Sequence, residues 1–201
     1  MSTVLAIVCH PSPKSYTHAV ADAALRVLRR LGVTPLVHDL YAEGFDPVLS
    51  ESELKRRLAF DDLVVRHVRD LEAADGLLLV HPEWWGAPPA MLKGWMDRVL
   101  RPGIGYEFRG EEFLRKEHVP LLAGKRALLF ATTDATPSPG TPLLCAFWRE
   151  ALSYCGIDDV RCEMLFRLRE LPPADRREWL KRVEEITEET FRSGAPTRPT
   201  P

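Results

Sequence analysis

Hydrophobic residues along this chain fall into two kinds of run. A short, β-branched-rich stretch without alternation occurs at residues 3–9 (TVLAIVC), the pattern of a central parallel strand buried on both faces, and the apolar runs at 76–81 and 125–133 read as strands as well. Pro35-Leu36-Val37-His38 and residues 160–166 read as two further strands. Between the strands, apolar positions recur every three or four residues. One set is Ala19, Val20, Ala23, Ala24, Val27, Leu28 and Leu31, and another is Leu63, Val64, Val68 and Leu71. Met91, Leu92, Trp95, Met96, Val99 and Leu100 form a third, and Leu144, Phe147, Trp148, Ala151, Leu152 and Cys155 a fourth. Trp179, Leu180, Val183, Ile186 and Phe191 complete the series. Each set is one face of an amphipathic helix. Thr17 is the predicted N-cap of the first helix and Gly32 its end, while Ser50 to Glu53 has the spacing of a capping box that opens a helical region running through Leu71. Residues 102–110 read as a turn-rich excursion carrying two aromatics. Five strands alternating with helices predict an α/β fold, a doubly wound parallel sheet with helices on both faces. Residues 1–192 are expected to form one domain, and the Pro/Thr-rich 193–201 a disordered tail.

Composition narrows the function classes. A net charge of −2 over 201 residues offers no electrostatic case for nucleic acid or an anionic membrane surface. Apolar runs such as Ala127–Ala131 are too short to span a bilayer, so no membrane insertion is expected. The N-terminus lacks the basic region and small-residue cleavage site of a secretory signal. Cys9, Cys145, Cys155 and Cys162 show no metal-ligand spacing and no Cys-x-x-Cys pair, and read as reduced, mostly buried thiols of a cytoplasmic protein. His18, His38, His67 and His118 are scattered, and nothing in their spacing pairs them into a metal site.

The chemistry concentrates in three loops, residues 10–17, 81–89 and 132–140, each following a predicted strand. Open α/β sheets bind ligands at the carboxyl ends of their strands, so these loops form one edge. The middle loop carries His81-Pro82-Glu83-Trp84-Trp85-Gly86. Adjacent tryptophans in such a turn are costly to leave wet; they either cap the core or face a flat aromatic cofactor. Elsewhere the ordinary readings hold. Lys93 and Asp97 lie one helical turn apart and read as a surface pair, His81 as structural, and Trp95 and Trp148 as core or dimer contacts.

The block HPEWWGAPPAMLKGWMDRVLRPG at residues 81–103, with its Trp-Trp-Gly, Pro-Ala and Leu-Lys-Gly-Trp pattern, and the His-Pro-x-Pro-Lys-Ser opening at residues 10–15 carry a family resemblance. The chain resembles the flavodoxin-like NAD(P)H:quinone oxidoreductases, flavoproteins of the DT-diaphorase kind that include bacterial potassium-efflux ancillary flavoproteins. The resemblance implies a five-stranded parallel sheet in the order 2-1-3-4-5. It implies a flavin cofactor, leaning toward FAD over FMN, and NADPH or NADH as hydride donor. His10, Ser15, Tyr16 and Thr17 match the segment holding the cofactor phosphate, with Lys14 adding a positive charge nearby. Pro82, Glu83, Trp84, Trp85 and Gly86 match the segment along the flavin ring edge; Glu83 reads either as a general acid near the flavin or, because the reaction needs hydride transfer more than proton relay, as a backbone contact. Thr132 and Thr133 match the start of a Thr-Thr-Gly-Gly stretch at the pyrimidine end of the ring, with Asp134 next to them. Tyr106 and Phe108 match an aromatic pair that lines the substrate pocket from the neighbouring subunit, which implies a homodimer. The implied activity is hydride transfer from NAD(P)H to a quinone or similar electrophile by a ping-pong mechanism; the alternative is a flavin-binding regulatory or ancillary subunit with little turnover of its own.

Two departures from the family pattern stand out. Asp134-Ala135 replaces the Gly-Gly pair, and an inward carboxylate there would oppose negative charge on a reduced ring, so Asp134 is expected to point away or cap a turn. The Tyr and His that some members place beyond that loop have no counterpart in Thr136–Leu143, so no catalytic acid–base residue is assigned. Arg109, Arg115 and Lys116 are basic residues suited either to a donor 2′-phosphate or simply to solvent.

Overall fold

The computed structural model describes residues 2–56, 61–110 and 117–192. Its elements in chain order are β1 (Thr3–Val8), α1 (Tyr16–Arg30), β2 (Thr34–Asp39), α2 (Glu51–Arg56), α3 (Asp62–Ala73), β3 (Gly76–Pro82) and α4 (Ala90–Val99). They continue with β4 (Tyr106–Arg109), β5 (Glu117–Pro120), β6 (Arg126–Thr132), α5 (Leu143–Tyr154), β7 (Asp159–Leu165) and α6 (Pro173–Arg192). Five strands form one parallel sheet in the order β2-β1-β3-β6-β7, which is 2-1-3-4-5 once the β4–β5 hairpin is set aside. The fold is flavodoxin-like, as the sequence implies.

Alternation along the central strands sorts the core into two layers, because successive side chains leave a strand on opposite faces. Leu5, Ile7, Leu77, Leu79, Ala127 and Leu129 face α3, α4 and α5, packing with Val64, Leu71, Leu92, Trp95, Trp148 and Leu152. Val4, Ala6, Val8, Leu78, Val80, Leu128 and Phe130 face α1 and α6, packing with Val20, Ala24, Leu28, Val183 and Ile186. Register keeps the layers aligned: Leu5 lies opposite Leu77, and Leu77 opposite Ala127. Both faces of β1, β3 and β6 are therefore buried, which explains their unbroken apolar runs.

Several local expectations change. Ser15, not Thr17, caps α1: its hydroxyl oxygen accepts the His18 amide at 3.3 Å. Thr17 sits within the first turn, its hydroxyl 3.2 Å from that of Thr132. Ser50 and Glu53 do form a reciprocal capping box, each side chain bonding the other's backbone N–H, at 3.2 and 3.1 Å. The helical region beyond it divides into α2 and α3, the latter opened by its own cap, Asp61. The 102–110 excursion leads into β4, which pairs antiparallel with β5, Tyr106 opposite Pro120. The alternation in four-residue strands was too short to separate from a turn-rich loop. Residues 57–60, Arg115, Lys116 and the 193–201 tail lie outside the described residues.

The reading of four reduced thiols is corrected at two of them. Cys145, near the start of α5, is disulfide-bonded to Cys162 on β7, with Cα atoms 5.7 Å apart. A helix returning to an edge strand brings them together across 17 residues, a separation with no motif of its own. Cys9 and Cys155 are free and buried, and burial pushes their thiols up to about 12 and about 11. Among the described residues no helix is long and apolar enough to cross a membrane.

Candidate functional site

The connection from β1 runs one way to β2 while the sheet continues the other way to β3, so a crevice opens above the β1–β3 junction. A cavity of about 650 Å³ lies there. It is lined by His10, Tyr16 and Thr17 from the loop after β1, by Pro82, Glu83, Trp84 and Trp85 after β3, and by Thr132, Thr133, Asp134 and Ala135 at the end of β6. Leu168 and Arg169, after β7, complete the lining. Of the residues matched to a cofactor site, Ser15 and Gly86 stand just behind this surface, in the cap and in the turn that shape it.

The first loop presents hydrogen-bond donors. His10 Nδ1 turns back onto its own loop, 3.0 Å from the Ser12 amide nitrogen and 3.2 Å from the Ser12 carbonyl oxygen. Burial lowers the His10 pKa, favouring the neutral ring. The amides of Tyr16 and Thr17 head α1, where N–H groups lack intrahelical partners and the helix dipole favours an anion.

The second loop is a mirror-image turn. Trp84 N–H donates to Ala87 O at 3.0 Å and Ala87 N–H to Trp84 O at 3.1 Å, with Trp85 at φ 58° and Gly86 at φ 75°. Glycine suits its place; tryptophan at positive φ does not. The turn holds Trp85 fully exposed and Trp84 partly so, which rules out the reading of this pair as a core cap. Glu83 braces it: one carboxylate oxygen accepts the Gly86 N–H and the other the Thr133 hydroxyl, tying the second loop to the third. Thr133 Oγ1 also accepts the Ala135 amide at 3.0 Å, so the third loop turns under the same control. The Glu83 side chain thus has a structural task that the sequence did not reveal.

Two buried tryptophan–histidine pairs stand in the core, one of them next to the cavity-lining Pro82. Trp148 Nε1–H donates to His81 Nε2 at 3.0 Å, so His81 Nδ1–H donates to the Pro82 carbonyl at 2.8 Å. Trp95 Nε1–H donates to His67 Nδ1 at 2.9 Å, and His67 Nε2–H then donates to Glu43 at 2.9 Å. Desolvation pushes both histidines down to about 4. The structure corrects the reading of His38 and His67 as scattered. Their rings stack at 3.8 Å, and donor atoms of His38, His67 and Glu43 lie within 4.8 Å of one another. A metal would need the His67 Nε2 lone pair, and the Trp95 hydrogen bond places a proton there instead.

Tyr106 and Phe108 do not join the cavity. With His118 and Tyr154 they form an aromatic cluster on the hairpin, ring centroids 4.1 to 5.8 Å apart. Tyr106 and Tyr154 line a second groove, of about 600 Å³, with Leu49, Leu54, Met96 and Leu100. Lys93 and Asp97 make the exposed pair expected of them, at 2.6 Å.

The donor set and shape fit a phosphorylated aromatic cofactor: helix amides and the His10 ring at one end, an aromatic turn at the other. The chain is also similar to known proteins. A family model described as "Flavodoxin-like fold" matches residues 2–187. NAD(P)H dehydrogenase (quinone) 1 of Cavia porcellus is 28% identical, over 92% of this chain and 78% of its own length. An uncharacterised NAD(P)H oxidoreductase of Haemophilus influenzae is 32% identical, over 80% and 81% respectively. The structure of an NAD(P)H:quinone oxidoreductase from Methanothermobacter marburgensis superposes with a TM-score of 0.75 at 26% identity, covering 94% of this chain and 96% of that one.

Proposed function

The chain belongs to the flavodoxin-like fold family, and from that premise we propose that it is a flavin-dependent oxidoreductase carrying hydride from NADPH or NADH to a quinone or similar electrophile. The observation that carries this reading is the cavity at the carboxyl ends of β1, β3 and β6, with anion donors at one end and the Trp84–Trp85 turn at the other. The relatives named as NAD(P)H oxidoreductases support it.

A flavin bound there supplies a ring that accepts hydride from a nicotinamide and passes two electrons on. The chain's own residues bind and orient it. The His10 ring and the Tyr16 and Thr17 amides take the phosphate; Glu83 fixes the turn whose backbone runs along the ring edge; Trp84 and Trp85 wall off water. Donor and acceptor use the same open face in turn, which makes the kinetics ping-pong. FAD is the flavin the family resemblance favours.

Homodimerisation completes the site in this reading. The groove beside α4 and α5, with exposed Leu54 and Tyr154 at its margin, is an apolar surface suited to a second copy, which would present Tyr106 and Phe108 to its partner's cavity. A cytoplasmic location goes with this reading, because that is where NAD(P)H is supplied. A second reading, a flavin-binding ancillary subunit, draws support from Thr136–Leu143, which holds no Tyr or His to serve the ring.

The test is a visible spectrum of the protein after addition of FMN or FAD, with riboflavin as the phosphate-free control, followed by anaerobic NADPH or NADH and then a quinone. Yellow colour that bleaches with the nicotinamide and returns with quinone supports the oxidoreductase. Flavin that binds without being reduced favours the ancillary reading, and failure to bind either flavin ends both.

A further inference from the structure

The cavity has a fourth wall, supplied by the loop after β7. Arg167 N–H donates to Ala135 O at 3.2 Å and Leu168 N–H to Thr133 O at 3.0 Å, while the Arg169 N–H donates to Asp134 Oδ1 at 3.0 Å. This loop is therefore laced onto the one after β6. Arg167 is held at φ 54°, a left-handed conformation that a non-glycine residue keeps when its surroundings impose it. The next two residues, Leu168 and Arg169, both line the cavity.

Asp134 meets Arg169 twice, accepting its amide at Oδ1 and its Nε–H at Oδ2 at 2.9 Å. The carboxylate is drawn to this loop, and the guanidinium is held at the rim. Among the described residues lining the cavity, Arg169 alone is a lysine or arginine. The other lining carboxylate, Glu83, is committed to the Gly86 N–H and the Thr133 hydroxyl.

We propose that Arg169 is the cationic wall of this cavity, offsetting the negative charge that hydride transfer brings to a ring bound there, with Asp134 as the carboxylate that pairs with it and tempers its charge. This rests on the flavin reading above. In the transfer a C–H bond of the nicotinamide breaks and an N–H bond forms on the ring. Two electrons and a proton move together, the nicotinamide becomes its pyridinium cation, and the ring gains one negative charge. An arginine stays protonated throughout, so its charge is fixed. Its side chain is 88% exposed in the open cavity, where water screens it; a ring placed against it displaces that water and strengthens the interaction. An arginine from the loop after β7 thereby supplies electrostatic help that Thr136–Leu143 does not.

The experiment measures the reduction potential of bound flavin by equilibration with a reference dye, in the parent protein and in Arg169→Ala, Asp134→Ala, the double variant and Arg169→Lys. Arg169→Ala leaves the Asp134 charge facing the ring, and the affinity for reduced relative to oxidised flavin should fall about tenfold, lowering the potential. Asp134→Ala leaves the guanidinium unopposed and should shift it the other way. The double variant should fall below the parent value, though less than Arg169→Ala, and Arg169→Lys should retain most of the parent value; a double variant at the parent value would mean a self-cancelling ion pair and would overturn the proposal. Added salt should shrink every difference. Potentials that do not move, or that move in the same direction in both single variants, overturn the proposal and leave an ordinary surface ion pair. Bound flavin with an unmoved potential rejects this inference alone, whereas a protein that binds neither FMN nor FAD rejects the flavin reading and this inference with it. Both side chains are substantially exposed, so unfolding is not the expected consequence of either change.

Discussion

Trp85 sits at φ 58°, in the left-handed region that asparagine, aspartate and glycine tolerate and tryptophan does not. Its side chain is fully exposed, so burial returns nothing for that strain. A residue both strained and wet is the mark of a surface built for a ligand. Replacing it separates the two effects. Trp85→Asn suits the first central position of a mirror-image turn and should leave stability equal or higher by about 1 kcal/mol. It should also weaken flavin binding about tenfold or more, because an aromatic contact is lost. Equilibrium unfolding and flavin titration of the same sample check both signs, and undiminished flavin affinity would remove Trp85 from the site. The Trp-Trp-Gly string drew notice to this position from sequence, since two tryptophans in a turn are anomalous by composition. Their backbone angles and the Glu83 brace were not legible, because both depend on Thr133, 50 residues away in sequence.

At the scale of elements, local signals were the readable ones. The Ser50–Glu53 capping box forms as spaced, since both partners lie within one turn. The cap of α1 fell to Ser15 rather than Thr17, two candidates so close that only the path of the incoming loop decides between them. Gly94 shows what spacing alone hides. It lies inside α4, where glycine is a poor helix former, and a Cβ there would stand 2.2 Å from Pro47 O and 2.3 Å from Pro47 Cβ. The helix crosses the segment before α2 at backbone contact. Gly94→Ala should therefore destabilise the protein by about 3 kcal/mol, the opposite of the usual gain from Gly to Ala in a helix. Urea unfolding measures this, and a stabilised variant would show that the crossing has slack. The Cys145–Cys162 bridge belongs here too, decided by how α5 packs beside β7.

The whole molecule responds to acid through histidines that the fold keeps neutral. His67 and His81 are pushed down to about 4 by burial, against an ordinary value near 6.5. As pH falls below 6.5 the unfolded chain takes up protons on these rings and the folded one does not. Stability is thus fully present above about 6.5, declines toward 4 and levels below it. Each ring contributes about 3 kcal/mol to that decline. Unfolding free energies at pH 7 and 4.5 should differ in this sense, and the two ring resonances should not titrate between pH 7 and 5.5; equal stabilities would contradict it. His81 holds the Pro82 carbonyl, so acid should loosen the second loop along with the core.

The sequence by itself determined the sheet, its strand order by family resemblance, the helix faces and the three loops that share an edge. Periodicity and local turn chemistry are written in neighbouring residues, and buried parallel strands leave no polar alternation to obscure them. Tertiary structure decided what meets across the chain: Glu83 with Thr133, Asp134 with Arg169, Trp148 with His81, Cys145 with Cys162, and the fourth wall after β7. These contacts join residues whose separation in sequence carries no period. They exist because a twisted sheet with helices on both faces sets its loops side by side, and hydrogen bonds then form between whichever side chains arrive together.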